Sequence, residues 1–192
     1  MPIDNSVVSM FGSMSTFASA TADTGAGFRG ETPPEGLSDN KVLSIDIKPG
    51  TMKLKNAAGA ETSSTTATGE ITFTYEWIRD SKDPSFDPTK PPLVWAGEVF
   101  RMIPDRGVLA NEGQRQAAEI AERRLKGHIS KLLKRAPEEC TNLQVCLTEL
   151  ASLLDKTRVI ASVKLVHREG TSKKPNAKPT IYKTEYIEDR LA

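Results

Sequence analysis

The sequence predicts a β-rich α+β domain of five strands, with helices inserted after the third strand. Two observations lead to this prediction. Five segments have the alternating or bulky β-branched and aromatic residues of strands, and two segments between the third and the fourth strand have apolar residues at helical spacing. The chain has 192 residues, of which 38% are hydrophobic, so it suits one domain with part of the chain outside the core.

Residues 1–40 are expected to lie outside that core. They are rich in Ser, Thr, Ala and Gly, sustain no strand or helix period, and contain one basic residue against five acidic ones. Such a segment buries too little apolar surface to offset its ordering entropy, so we predict a disordered or arm-like leader at 1–40 and a folded domain at 41–192. Alternatively, its short apolar set docks onto a partner subunit: Val7, Val8, Met10, Phe11, Met14 and Phe17.

The first three strands are predicted between residues 41 and 103. Apolar residues alternate from Leu43 to Leu54 around Pro49-Gly50, which indicates one bent strand or two short ones. Residues 56–69 are polar and aperiodic, so a loop is expected there. Strict alternation at 71–77 places four bulky side chains on one face: Ile71, Phe73, Tyr75 and Trp77. The third strand is expected at 93–103, after a proline-rich loop at 79–92.

Two helices and a closing hairpin follow. Asn111, with Gln114 three residues later, has the spacing of a capping box and opens a helix that extends to Leu133, shortly before Pro137. Thr141 and Gln144 repeat this spacing ahead of a shorter helix that reaches residue 154. Alternation then predicts strands at 158–165 and from 180 to 188, joined by a loop rich in lysine and proline.

Five strands with helices after the third have the topology of an OB-fold, a small, partly open antiparallel barrel. The fold prediction is therefore a five-stranded OB-like barrel with a helical insertion and a disordered leader. Any small α+β sheet domain with a helical insertion has the same order of elements, so this alternative stays open.

No motif in the chain supports catalysis. Residues 25–30 match the GxGxxG pattern of dinucleotide-binding loops, but neither flank has the strand or the helix start that this pattern requires. Cys140 and Cys146 lack zinc-ligand spacing with the two histidines and are expected to be buried or half-buried, at or near a helix. We predict a protein that is not an enzyme and holds no cofactor or metal. No apolar run approaches the ~20 residues of a membrane span, so no membrane partner is expected.

Aromatic and basic residues together indicate single-stranded nucleic acid as the partner. Binding a single strand needs flat side chains for base stacking and cations for the phosphates. The chain outside the leader contains 25 basic and 20 acidic residues, which also favours an anionic partner. The candidate stacking residues are Trp77, Trp95, Tyr182 and Tyr186. The candidate phosphate contacts are Arg79, Arg101, Lys164, Arg168, Lys173, Lys174 and Lys178.

Several segments between residues 93 and 190 share a pattern with one known group. They are Val99-Phe100-Arg101, the helix that contains AAEIAERRLKGHISKLL, the stretch LASLLDKTRVIASV with its Leu154-Asp155-Lys156 turn, and a tyrosine-bearing last strand after a lysine-rich turn. Together they resemble phage-type OB-fold single-stranded-DNA-binding proteins. The resemblance implies sequence-tolerant binding of single strands in replication, recombination or repair. Two features depart from the group: the acidic patch at the C-terminal end is short, and the leader has no counterpart.

From these observations we expect a single-stranded-DNA-binding protein that forms a homo-oligomer. Since two cysteines make no disulfide framework, a reducing compartment is expected, namely the cytoplasm, or the host cytoplasm if the protein is viral. The alternative is a structural protein of a viral particle or a similar assembly. A polar leader, mixed surface charge and a small β-rich body also suit that class.

Overall fold

The structure is a computed structural model that describes Phe11 and residues 25–28, 35–79, 88–89, 91–170 and 180–188, with backbone alone at 25–28, 98, 165–170 and 180–188. The strands are β1 (Gly25–Phe28), β2 (Gly36–Lys55), β3 (Glu61–Trp77), β4 (Val94–Met102), β5 (Ile160–Gly170) and β6 (Thr180–Glu188). Two helices, α1 (Glu112–Leu133) and α2 (Leu143–Lys156), lie between β4 and β5. Single 3-10 turns occupy Arg106–Val108 and Pro137–Glu139.

The five long strands form one open antiparallel sheet in the order β6-β5-β2-β3-β4, and the short β1 extends it beyond β6. Strand β2 is long enough to pair with two other strands. Its residues 36–41 pair with β5, and its residues from Asn40 onward pair with β3 as far as Lys55. This confirms the predicted α+β class and the helical insertion after the third long strand.

Burial alternates strictly along the middle of the sheet. Ile71, Phe73 and Tyr75 are 0% exposed, whereas the threonines between them are half-buried. On β4, Trp95, Phe100 and Met102 lie in the same core. A second, smaller cluster of Ile103, Leu109 and Ala118 packs against Met52 and Leu54 of β2. The alternation predicted for residues 71–77 is therefore confirmed, with the bulky face turned toward the helices.

Helix α1 begins as predicted and then becomes buried on all sides. The Asn111 side chain accepts a hydrogen bond from the Gln114 backbone N–H at 3.1 Å, which caps the first turn. The Gln114 side chain bonds β2 backbone instead, accepting from Lys55 N at 3.0 Å and donating to Lys53 O at 2.9 Å. Every residue from Leu125 to Ser130 is buried, because this half of α1 packs against β4, β6 and β1.

Helix α2 is capped one residue later than the sequence pattern predicts. Asn142, not Thr141, accepts the capping hydrogen bond, from Val145 N at 3.1 Å. The helix buries Leu143, Leu147 and Leu150 against the core. Asparagine is among the strongest N-cap residues, and here it takes the cap from the neighbouring threonine.

The boundary between leader and domain needs correction. Strand β2 begins at Gly36 rather than near residue 41, and Asn40 is 0% exposed. Within residues 1–40, Phe11 is 1% exposed in the main core, and residues 25–28 form β1, which pairs with β6. The leader therefore contributes to the folded body of its own chain. Residues 25–28 of the GxGxxG match lie on this strand.

The polar segment at 56–69 is also not a loop for most of its length. Strand β3 starts at Glu61, and only residues 56–60 make the turn, where Gly59 has a φ of 87° that favours glycine. From residue 61 to residue 67 the strand is largely exposed, so nothing imposes the apolar alternation by which strands are recognised.

Candidate nucleic-acid interface

Trp95 is a core residue, which corrects the prediction that it stacks on bases. Its ring is 3% exposed and stacks on Tyr75 at a centroid distance of 4.7 Å. The indole Nε1 donates a 3.0 Å hydrogen bond to Asn40 Oδ1. A ring enclosed in this way offers no face to a base. Sequence reasoning missed Asn40, because no periodicity marks a buried polar residue near the start of a strand.

Trp77 lies at the end of β3, where the strand leaves the core. It is half-buried, and its backbone N–H donates to Leu93 O at 2.9 Å. The guanidinium carbon of Arg79 lies 5.2 Å from the centroid of the Trp77 ring, within the range of a cation–π contact. The structure thus brings two predicted site residues together as one stacked pair.

Arg101 is already engaged with a carboxylate. It lies on the outer face of β4, where its Nε and Nη2 donate to Glu70 Oε1 at 3.0 and 2.7 Å. The two side chains remain 52% and 32% exposed. A phosphate at this position would have to compete with Glu70 for the guanidinium of Arg101.

The β5–β6 hairpin brings predicted cations and tyrosines into register. Lys164 is the Cα partner of Tyr186, and Arg168 is the Cα partner of Tyr182. Lys164 is exposed, next to Val163, which is fully buried. The pairing has no register shift, and alternate residues of a strand share one face of the sheet. Both cation–tyrosine pairs therefore occupy positions on the face to which exposed Lys164 belongs. Sequence reasoning named these four residues but did not predict that they pair across the strands.

Three predicted phosphate contacts, Lys173, Lys174 and Lys178, come between β5 and β6 in the sequence, outside the described residues. The structure therefore divides the predicted site. Trp77 and Arg79 form one pair at the end of β3, Arg101 is paired with Glu70, and the four hairpin residues form a separate group.

The cysteines and His128 belong to the core. Cys140 and Cys146 are free and buried, as predicted, and burial raises the pKa of Cys140 to about 11. Burial also raises the pKa of Cys146. His128 is 0% exposed, with its ring 5.0 Å from Phe100 and 5.7 Å from Phe73. Within the described residues, no three His, Cys, Asp or Glu side chains cluster as metal ligands would.

Neither of the two helices in the described part of the chain is long and apolar enough to cross a membrane. No protein-family model, no curated protein and no solved structure matches the chain.

Proposed function

We propose that this chain is a non-enzymatic protein that binds single-stranded DNA without sequence preference, through the β5–β6 hairpin. The observation that carries the proposal is the register of that hairpin, which pairs Lys164 with Tyr186 and Arg168 with Tyr182. Each pair combines the two groups that a single strand requires, a cation for the phosphate and a flat ring for the base. Four residues separate the pairs, which corresponds to about 13 Å along the strand.

The distribution of charge supports the same location. Residues 160–188 contain six lysines and arginines against three acidic residues, whereas the whole chain has a net charge of only +1. The phosphate backbone supplies most of the affinity in sequence-tolerant binding, so the strand is expected to follow this basic hairpin. The lysines of the connecting loop, Lys173, Lys174 and Lys178, would extend the phosphate path.

The strand order gives a second line of support. The first long strand pairs with two other strands, and the helices lie between the third and fourth long strands. This arrangement suits a five-stranded, partly open barrel of the OB type. We propose that the sheet closes in this way, with β1 between β6 and β4, because Cα atoms of β1 lie within 8 Å of those of β4. Such barrels bind oligonucleotides through strand faces and loops, which agrees with a role in replication, recombination or repair.

The test is the binding of a fluorescein-labelled oligo-dT, followed by anisotropy. The wild-type chain is expected to bind, and Tyr182→Ala with Tyr186→Ala is expected to lower the affinity by about tenfold per ring, since each stacked base contributes ~1–3 kcal/mol. Tyr182→Phe with Tyr186→Phe is the matched control, because it keeps both rings, and it should bind as the wild type does.

Two results would overturn the proposal: a wild-type chain that does not bind oligo-dT at low salt, or an alanine variant that binds as tightly as the phenylalanine variant. The first result, combined with self-association of the chain, would support the alternative of a structural protein of an assembly.

A further inference from the structure

The outer face of β2, β3 and β4 has mostly short side chains. Register partners cross the three strands in four rows, with one residue from each strand in every row. From one end to the other, the rows are Lys41–Glu76–Val94, Ser44–Thr74–Ala96, Asp46–Thr72–Val99 and Lys48–Glu70–Arg101. We call these twelve residues the outer sheet face. None of them is buried.

The chemistry of the outer sheet face does not suit a nucleic acid. It contains no aromatic residue, and its three cations are matched by three carboxylates. Asp46 lies near its centre and accepts hydrogen bonds from Ser44 Oγ and Thr74 Oγ1, each at 3.4 Å. A phosphate chain would meet these carboxylates without a surplus of positive charge, so the partner of this face is not expected to be DNA.

The β4 side of the face is apolar. Val94 is 53% exposed and Val99 is 50% exposed, with exposed Ala96 between them along the strand. The small Ser, Thr and Ala side chains in the two middle rows allow another sheet to approach to the ~10 Å spacing of packed sheets.

The charges show which partner fits. In both end rows, β2 supplies a lysine and β3 supplies a glutamate, at Lys41–Glu76 and Lys48–Glu70. A two-fold axis parallel to the strands, above the boundary between β2 and β3, places β2 of each copy over β3 of the other. Every lysine then faces a glutamate. An axis across the strands would instead place Lys41 over Lys48, which like-charge repulsion disfavours.

We propose that the outer sheet face is the docking surface for a second copy of this chain, packed face to face about the axis parallel to the strands. Sheets packed in this way cross at about 30°, which displaces the end rows by about 5 Å, a distance that the flexible stem of a lysine spans. The charge pairs fix the orientation, and the short side chains of the two middle rows on β2 and β3 supply the buried area, whereas β4 lies outside the overlap of the two copies. The overlapping part of the face covers about 20 Å by 10 Å, so the dimer is weak and depends on concentration.

The test uses two variants with opposite face charges. Lys41→Glu with Lys48→Glu makes both end rows acidic on β2 and β3, and Glu70→Lys with Glu76→Lys makes them basic. By sedimentation velocity without DNA, over a concentration series, the wild type is expected to dimerise and neither variant is expected to do so. An equimolar mixture of the two variants is expected to recover the dimer, because each acidic face then meets a basic one.

Two controls separate this arrangement from general effects of charge or folding. Lys53→Glu and Glu61→Lys alter a similar exposed pair, 3.4 Å apart and outside the outer sheet face, and both should dimerise as the wild type does. Val94→Ser with Val99→Ser changes no charge and lies on β4, outside the overlap of β2 with β3, so it should dimerise as the wild type does. A wild type that stays monomeric throughout, or charge variants that each dimerise alone, would overturn the proposal. These readouts involve no DNA, so they are independent of the proposed function.

Discussion

Asn40 and Trp95 are joined by a hydrogen bond inside the core, although 55 positions separate them in the chain. The Asn40 amide nitrogen also donates to Ser38 O at 3.1 Å and to Ser38 Oγ at 3.0 Å, so the asparagine connects the start of β2 to the indole of β4. This bond holds the Trp95 ring in the core of the sheet. Trp77 is therefore the tryptophan with access to solvent.

Removing the Asn40 side chain is expected to destabilise the fold. Asn40→Ala leaves the Trp95 N–H buried without its acceptor, which costs about 1–3 kcal/mol in the free energy of unfolding. Trp95→Phe removes the donor as well, so the double variant should lose less stability than the sum of the two single variants. Urea unfolding of the four proteins measures this coupling, and strictly additive losses would contradict the bond.

The two tryptophans are expected to report differently on DNA. Trp95→Phe leaves Trp77 as the only indole, and we expect oligo-dT to change its fluorescence if the strand passes the Trp77–Arg79 pair. Trp77→Phe leaves the enclosed Trp95, whose emission should not respond because no base reaches its ring. Titration of both variants with oligo-dT makes the comparison. A quench of Trp95 alone would contradict its place in the core.

The ring of Phe11 packs directly against Gly69. A Cβ at Gly69 would lie 2.2 Å from Phe11 Cζ, so the ring occupies space that any other residue at 69 would fill. Phe11→Ala should cost about 3–5 kcal/mol in the free energy of unfolding, as for other buried phenylalanines. Gly69→Ala should cost about 1–3 kcal/mol through overpacking.

The combination of these two changes provides the sharper measurement. In the Phe11→Ala background the space beside Gly69 is empty, so Gly69→Ala should become nearly neutral or stabilising. Denaturant unfolding of the single and double variants checks this expectation. If Gly69→Ala lowers the free energy of unfolding by the same amount with and without the Phe11 ring, the ring does not occupy the space beside Gly69.

Cys140 is expected to make stability fall at alkaline pH. Its pKa rises from an ordinary 9.0 to about 11 in the folded chain because the thiol is buried, so the folded state holds the proton more tightly than the unfolded state does. The contribution is therefore fully present below about pH 9 and is lost as the pH rises toward 11. Cys140→Ala removes it. Chemical unfolding of both proteins from pH 8 to 11 should show a steeper decline for the wild type, and parallel curves would contradict it.

The sequence predicts elements well where local chemistry and burial agree. The N-cap at Asn111 and the alternation from Ile71 to Tyr75 are of this kind, because a side chain within three residues or a single buried face determines each. Residues 61–67 escaped prediction because most of them are exposed, and their strand depends on pairing with β2.

The candidate site is less predictable because it depends on contacts between distant segments. Trp77 and Trp95 are both tryptophans on predicted strands. Only the bond to Asn40 and the stacking on Tyr75 distinguish the core ring of Trp95 from the half-buried ring of Trp77. Likewise, Phe11 belongs to a segment without periodicity, and its burial depends on a glycine 58 positions further along the chain. No local pattern encodes such pairings.

The salt dependence of oligo-dT binding tests the hairpin proposal most directly. For a single strand, each phosphate neutralised contributes about 0.7 to the magnitude of the slope of log K against log salt. Lys164→Ala with Arg168→Ala should therefore reduce that slope by about 1.4, whereas Lys156→Ala, an exposed lysine at the end of α2, should leave it unchanged. A hairpin variant with the wild-type slope would contradict binding of the phosphates at Lys164 and Arg168.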